Sequence, residues 1–200
     1  PHPFAQRRLP TSADYASAFV SPTSGALLNL VTDHTVRGRV MFPGTGYLEM
    51  ARAAATTPSA LRDVFFLQPL ALGDFGGDAD AHHVECVVAG GSFKVQSGVR
   101  SLATDSLSLA GVTVHCQGTL TSLGMKKHVS HAAMRRTCLR AASLIALYDG
   151  FDGLGLNYGP EYRTLAQGWS GSNAAVARLQ ARAALGSMAV HPADLDDAIK

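Results

Sequence analysis

A chain of 200 residues, 46% hydrophobic and 16% charged, can bury a sizeable core and is too apolar to be disordered. Its net charge of +2, with basic residues scattered in short pairs such as Arg7–Arg8, Lys126–Lys127 and Arg135–Arg136, excludes a nucleic-acid surface. Three cysteines (Cys86, Cys116 and Cys138) without CxxC spacing argue against a disulfide framework or a zinc site and fit reduced thiols in the cytoplasm. No apolar run approaches the roughly 20 residues of a membrane span. His82–His83 and His128–His131 supply no three-ligand metal set, and the glycines of 150–159 lack a strand–GxGxxG–helix setting, so neither a metal nor a nucleotide is expected. The first residues have neither an initiator methionine nor a signal core, and Lys200 falls inside a helical pattern; the chain reads as part of a longer polypeptide.

In chain order, residues 13–31 alternate loosely around a turn at SPTSG and predict a β-hairpin leading to a strand at His34. HTVRGRVMFP (34–43) then brings an apolar extended segment to a proline and glycine that open a helix over 44–55. Tyr47, Leu48, Met50 and Ala51 share a broad apolar face of that helix, and TTPS (56–59) stops it. Strands are expected at 64–72, 82–89, 92–97 and 111–120, with Gly90–Gly91 as a hairpin turn. One helix followed by a run of antiparallel strands gives an α+β fold. The basic, weakly periodic stretch 122–136 is the linker candidate. Beyond it come a helix at 138–149, a glycine-rich turn region at 150–160, a hairpin at 164–180 turning at SGSN, and a helix from Pro192.

Chemistry concentrates at two helix starts. His34 titrates near neutral pH and can accept a proton if it sits in a cleft. The helix N-terminus after Pro43 offers backbone N–H groups and a positive dipole end, suited to a developing oxyanion; Gly44 is the residue whose N–H is placed to face a carbonyl. The distant VHPADLDDAIK (190–200) carries Asp196 just inside its own helix. A base for a carbon acid and an acid for a departing hydroxyl are what elimination of water needs. Asp194, Asp197 and Glu161 compete with Asp196 for the acid role, and Asp194 fits a helix-start dipole or capping residue. His191 reads as structural, Gly38 as a strand glycine allowing close backbone approach, and Pro43 as a helix-opening proline.

These motifs resemble those of polyketide synthase dehydratase domains. HxxxGxxxxP is met by His34, Gly38 and Pro43. GLNYGPEY (155–162) is similar to the family's GYxYGPxF, with Leu156 in place of its first tyrosine and Tyr162 in place of phenylalanine. HPADLD (191–196) resembles HPxLLD, with Asp194 where leucine is usual; PHPFAQRRLP resembles the HPLLGxR opening, and VTVHCQGTL (112–120) the strand that closes the first half.

The resemblance implies a double hotdog: an N-terminal hotdog over 1–124 contributing His34, a linker over 125–137, and the start of a C-terminal hotdog over 138–200 contributing Asp196, whose remaining strands are missing here. It implies His34 as base, Asp196 as acid, and substrate contacts from Tyr158, Gly38, Pro43, Gly44, Gly159 and Pro160. The substrate is a 3-hydroxyacyl thioester on the phosphopantetheine of an acyl carrier protein, with no dissociable cofactor. Other domains of the same megasynthase are the expected partners, and a homodimer is compatible with the resemblance. The family places glutamine or histidine four residues after the acid, where this chain has Lys200; a nearby ammonium would favour the ionised carboxylate. A product-template-like cyclase, a double-bond isomerase and a non-catalytic hotdog scaffold or docking domain are the alternatives.

Overall fold

The computed structural model describes residues 2–11, 16–73, 81–100, 109–124, 129–182 and 186–199. In the first half, strands β1 (Arg7–Leu9) and β2 (Ser17–Pro22) precede helix α1 (Gly25–Val31), the short hairpin β3 (His34–Val36) and β4 (Arg39–Val40), and helix α2 (Gly44–Ala54). Strands β5 (Ser59–Phe66), β6 (His82–Ala89), β7 (Ser92–Val99) and β8 (Ala110–Ser122) follow. Six of these strands form one antiparallel sheet in the order β1-β2-β6-β7-β8-β5. The sheet curls around α2, whose Tyr47, Met50, Ala51 and Ala54 pack into a core with Val84, Cys86, Phe93, Val95 and Cys116. The tight β6–β7 turn is built on Gly90 and Gly91, both at positive φ (57° and 75°), the conformation a two-residue hairpin of this twist requires.

Several expectations need correction. Of the hairpin expected over 13–31, the described residues 16–31 hold one strand, β2, followed by a helix: GALLNLV folds as α1 because Leu27 and Val31, one turn apart, both bury on the core side. The strand expected at 64–72 is β5, which starts earlier, at Ser59, and ends at Phe66. Pro69 has no N–H to continue a ladder, and the chain crosses to the β4 side, where Phe42 N donates to Leu70 O (2.8 Å) and Leu72 N to Val40 O (2.8 Å). In α2, Leu48 is only partly buried, whereas Glu49 is buried.

In the second half, helix α3 (His131–Thr137) occupies part of the basic stretch, capped where the Ser130 hydroxyl accepts from Ala133 N. The helix expected at 138–149 begins later. Arg140–Ala142 is strand β9, and the Ser143 hydroxyl caps helix α4 (Leu144–Gly153) by accepting from Ala146 N. The glycine-rich region is therefore the end of α4, strand β10 (Leu156–Tyr158) and a 3₁₀ turn (Pro160–Tyr162). The hairpin at 164–180 is present as β11 (Leu165–Ser170) and β12 (Ala175–Leu179), and helix α5 (Pro192–Ala198) starts at the expected proline. β12, β11 and β9 form a three-stranded sheet, so the second hotdog is represented by this sheet and α5.

Two features fix the halves against one another. The small sheet β10-β3-β4 takes one strand from the second half and two from the first. The two central helices also touch: the Thr45 hydroxyl donates to Pro192 O (2.9 Å), and the buried Glu49 carboxylate accepts from Ala189 N (2.9 Å) while it is clamped by Arg52 at 2.7 and 2.8 Å. His2 reaches the same carboxylate at 3.2 Å.

Candidate active site

His34 starts β3 and is buried. Its Nδ1 lies 2.8 Å from Met41 O. A carbonyl oxygen only accepts, so Nδ1 carries the proton and Nε2 holds the lone pair of a base. The β3–β4 turn makes this possible. Arg37 and Gly38 both have positive φ (51° and 76°), which folds the strand back so that Met41 passes His34. Gly38 is thus an exposed hairpin-tip residue, and its role is to shape the segment that holds the imidazole.

β10 runs antiparallel to β3 with Tyr158 directly opposite His34. The Tyr158 ring meets the imidazole edge-on at 5.6 Å between centroids. The Tyr158 hydroxyl is hydrogen-bonded to the Asp196 carboxylate; burial first, then the charges of Asp196 and Asp197, push its pKa up, so it stays a neutral donor. Asp196 is buried on α5. His34, Tyr158 and Asp196 therefore come together from two strands and a helix far apart in sequence. A third aromatic residue, Tyr162, packs its ring 5.2 Å from that of His34.

The other acidic candidates are committed elsewhere. Asp197 Oδ2 accepts from Tyr148 Oη (3.0 Å), Thr164 N (2.5 Å) and Thr164 Oγ1 (2.7 Å), which anchors α5 to the second half. Asp194 pairs with Arg182 at 2.8 Å, and Glu161 with the same guanidinium at 3.3 Å. His191 caps α5: its Nδ1 accepts from Ala193 N (3.2 Å), and burial, then the Arg182 charge, lowers its pKa and keeps it neutral. Pro43 is the buried N-cap of α2, and Gly44 follows it with the Phe66 ring 3.3 Å from where a Cβ would stand. Gly159 packs on the Asp33 carboxyl, which leaves no room for a side chain, and its N–H donates to Asp33 O (2.8 Å). Pro160 lines a cavity of about 530 Å³ shared with Arg163, Thr164, Arg182, His191 and Asp194. Lys200 lies outside the described residues. Sequence reasoning missed Tyr162, Asp33 and the anchoring role of Asp197; the only signal was their position within or beside the GLNYGPEY and HPADLD motifs.

The family model described as polyketide synthase dehydratase domain matches residues 2–102, and that described as polyketide synthase dehydratase N-terminal domain matches residues 126–200. The chain belongs to the polyketide synthase dehydratase family. Members of this family are hydro-lyases acting on 3-hydroxyacyl thioesters. Among curated relatives, the polyketide synthase ThaG of Burkholderia thailandensis is 31% identical over 185 residues, which is 84% of this chain and 3% of ThaG. The mycoketide-CoA synthase of Mycobacterium tuberculosis is 29% identical over 83% of this chain and 4% of its own length. The chain thus spans only a small part of these relatives. Among solved structures, the dehydratase domain from the CurK module of curacin polyketide synthase superposes with a TM-score of 0.77 at 24% identity, over 100% of this chain and 73% of that one. Dehydratase structures of this kind establish the double-hotdog fold for the chain. Two further CurK dehydratase structures are described as inactive mutants, one with an aspartate changed to asparagine and one with a histidine changed to phenylalanine.

Proposed function

We propose that this dehydratase domain removes water from a 3-hydroxyacyl chain held as a thioester on the phosphopantetheine arm of an acyl carrier protein, with His34 as base and Asp196 as acid. His34 Nε2 takes the proton from Cα. The electrons of that C–H bond form the Cα=Cβ double bond, and the Cβ–O bond breaks toward oxygen. Protonated Asp196 gives its proton to that oxygen, which leaves as water. The N–H groups at the start of α2, Gly44 first, stabilise the enolate-like thioester oxygen, held in place by the Pro43 cap. Tyr158 orients Asp196. Gly38, Gly159 and Pro160 act through the backbone they shape. The product is an α,β-unsaturated thioester, and the substrate's own pantetheine arm is the only prosthetic group the scheme uses.

The observation that carries this reading is the placement of Tyr158, opposite His34 in the β-ladder and hydrogen-bonded to Asp196. It is supported by the engagement of Asp194, Asp197 and Glu161 in other contacts, and by the loss of activity that accompanies a histidine or an aspartate replacement in the CurK dehydratase. The three cysteines are free and buried, which suits a reducing compartment such as the cytoplasm, and burial pushes the Cys116 thiol up to about 12, which disfavours its thiolate. Carrier protein and further synthase domains are the partners this reading requires. Family membership disfavours the cyclase, isomerase and scaffold alternatives.

The test runs the reaction in reverse. A crotonyl-type thioester incubated with the parent polypeptide should be hydrated to the 3-hydroxyacyl thioester. A scaffold would leave it unchanged, and an isomerase would move its double bond without adding water.

A further inference from the structure

Tyr162 is fully buried, and its hydroxyl has no hydrogen-bond partner among the described residues. Leaving a buried hydroxyl unpaired is unfavourable, and a phenylalanine would fill the same space without that cost. Packing alone therefore does not account for a tyrosine here. The ring packs against the proposed base. The ring lies 5.2 Å from the His34 imidazole, and the 3₁₀ turn that carries it leads directly from Tyr158. After burial, the charge that raises this phenol's pKa most is the Asp196 carboxylate, ahead of the effects of Arg182, Asp33 and Tyr158.

The turn is held rigidly. The Asp33 carboxylate accepts from Glu161 N (2.8 Å), Asp33 O accepts from Gly159 N (2.8 Å), and Gly159 O accepts from Tyr162 N (3.0 Å). Asp33 immediately precedes His34, so the base and the Tyr162 turn are fixed by one stretch of backbone. A buried, pre-positioned donor that packs its ring against His34 and has no partner among the described residues is the arrangement expected of a group that waits for a substrate oxygen.

We propose that the Tyr162 hydroxyl donates a hydrogen bond to the β-oxygen of the bound acyl chain, and so selects 3-hydroxylated chains and steadies the oxygen as it leaves. This rests on the dehydratase reading above. The β-oxygen has two lone pairs. One receives the Asp196 proton as the Cβ–O bond breaks, and the other accepts from Tyr162, which keeps its own proton throughout. Burial raises the phenol pKa, so it donates without ionising.

The test is Tyr162→Phe in the parent polypeptide. Turnover of a 3-hydroxyacyl-pantetheine thioester should fall about tenfold in kcat/KM, as expected for loss of one active-site hydrogen bond. Binding is measured separately in the His34→Ala background, where turnover is blocked. There Tyr162→Phe should weaken the 3-hydroxyacyl thioester about tenfold and leave the saturated acyl thioester of equal length unchanged. The melting temperature should rise by about 2–4 °C, because an unpaired buried hydroxyl has been removed. A kcat/KM within twofold of the parent overturns the proposal. Equal weakening of both thioesters, or a fall in melting temperature, assigns Tyr162 to packing and also overturns it. Absence of turnover in the unsubstituted protein overturns the dehydratase reading instead, and the two-ligand binding comparison still decides whether Tyr162 reads a 3-hydroxyl group.

Discussion

Tyr158 stands directly across the β10–β3 ladder from His34, so that a residue of the second half is placed against the histidine of the first by backbone pairing rather than by side-chain packing. The hydrogen bond from Tyr158 to Asp196 then ties the carboxylate of α5 to the same point. The geometry of the proposed base and acid is set by a three-residue strand, and changes to that strand should act on chemistry before they act on folding.

Tyr158→Phe keeps the ring against His34 and removes the donor to Asp196. The expected result is a fall in kcat of about 10- to 100-fold with little change in KM, since the lost interaction orients the acid rather than holding the substrate. Steady-state kinetics alongside far-UV circular dichroism check it. An unchanged kcat in a folded variant would remove Tyr158 from the mechanism.

Thr45→Val tests the contact between the two central helices. The substitution preserves shape but leaves the buried Pro192 carbonyl without the Thr45 hydroxyl it accepts from at 2.9 Å. Stability should fall by about 1–3 kcal/mol, measured by urea unfolding, and Thr45→Ser should recover most of it. A Thr45→Val protein as stable as the parent would mean that α5 is docked by other contacts.

Stability should also depend on pH in two windows. Burial lowers the pKa of His115 and of His191 below the ordinary 6.5. The unfolded chain then takes up protons first as pH falls, so stability is complete above about 6.5 and declines below it. Burial pushes Glu49 up, but its bonds to Arg52, His2 and Ala189 N outweigh this and hold it at about 2 against an ordinary 4.5. Its contribution is present above 4.5 and lost as pH falls toward 2. Thermal melts across this range should show both declines. His191→Asn, which retains a capping acceptor but does not titrate, should shrink the upper one. A melting temperature that is flat from neutral pH to below 6 would contradict the assignment.

What was legible in the sequence follows from how local each signal is. Pro43 followed by an alanine-rich run announces α2, and Gly90–Gly91 between two alternating runs announces the β6–β7 hairpin, because each structure is decided by adjacent residues. The segment GALLNLV was not legible as helix: over seven residues, apolar spacing alone does not separate the helical period from the strand period. The three-residue strand β9 has no pattern of its own and exists only because β11 pairs with it. At the site, His34 and Asp196 were visible through their motifs. The anchoring of Asp197 by Tyr148 and Thr164 was not, because those partners converge on it only in the folded chain. Tyr162 was visible as a departure from the family motif, but its proximity to His34 depends on the β10–β3 register.

The pairing of His34 with Asp196 as base and acid is the centre of the account, and one measurement addresses it most directly. Enoyl-thioester formation from a 3-hydroxyacyl-pantetheine thioester is followed for the parent polypeptide, His34→Ala and Asp196→Asn, with carrier-protein binding measured in parallel. Each variant should lose at least 100-fold in kcat, in line with roughly 10²–10⁴-fold for a general acid or base, and keep carrier binding within about twofold of the parent. Retention of most of the parent rate by either folded variant would contradict the pairing and place the chemistry on other residues.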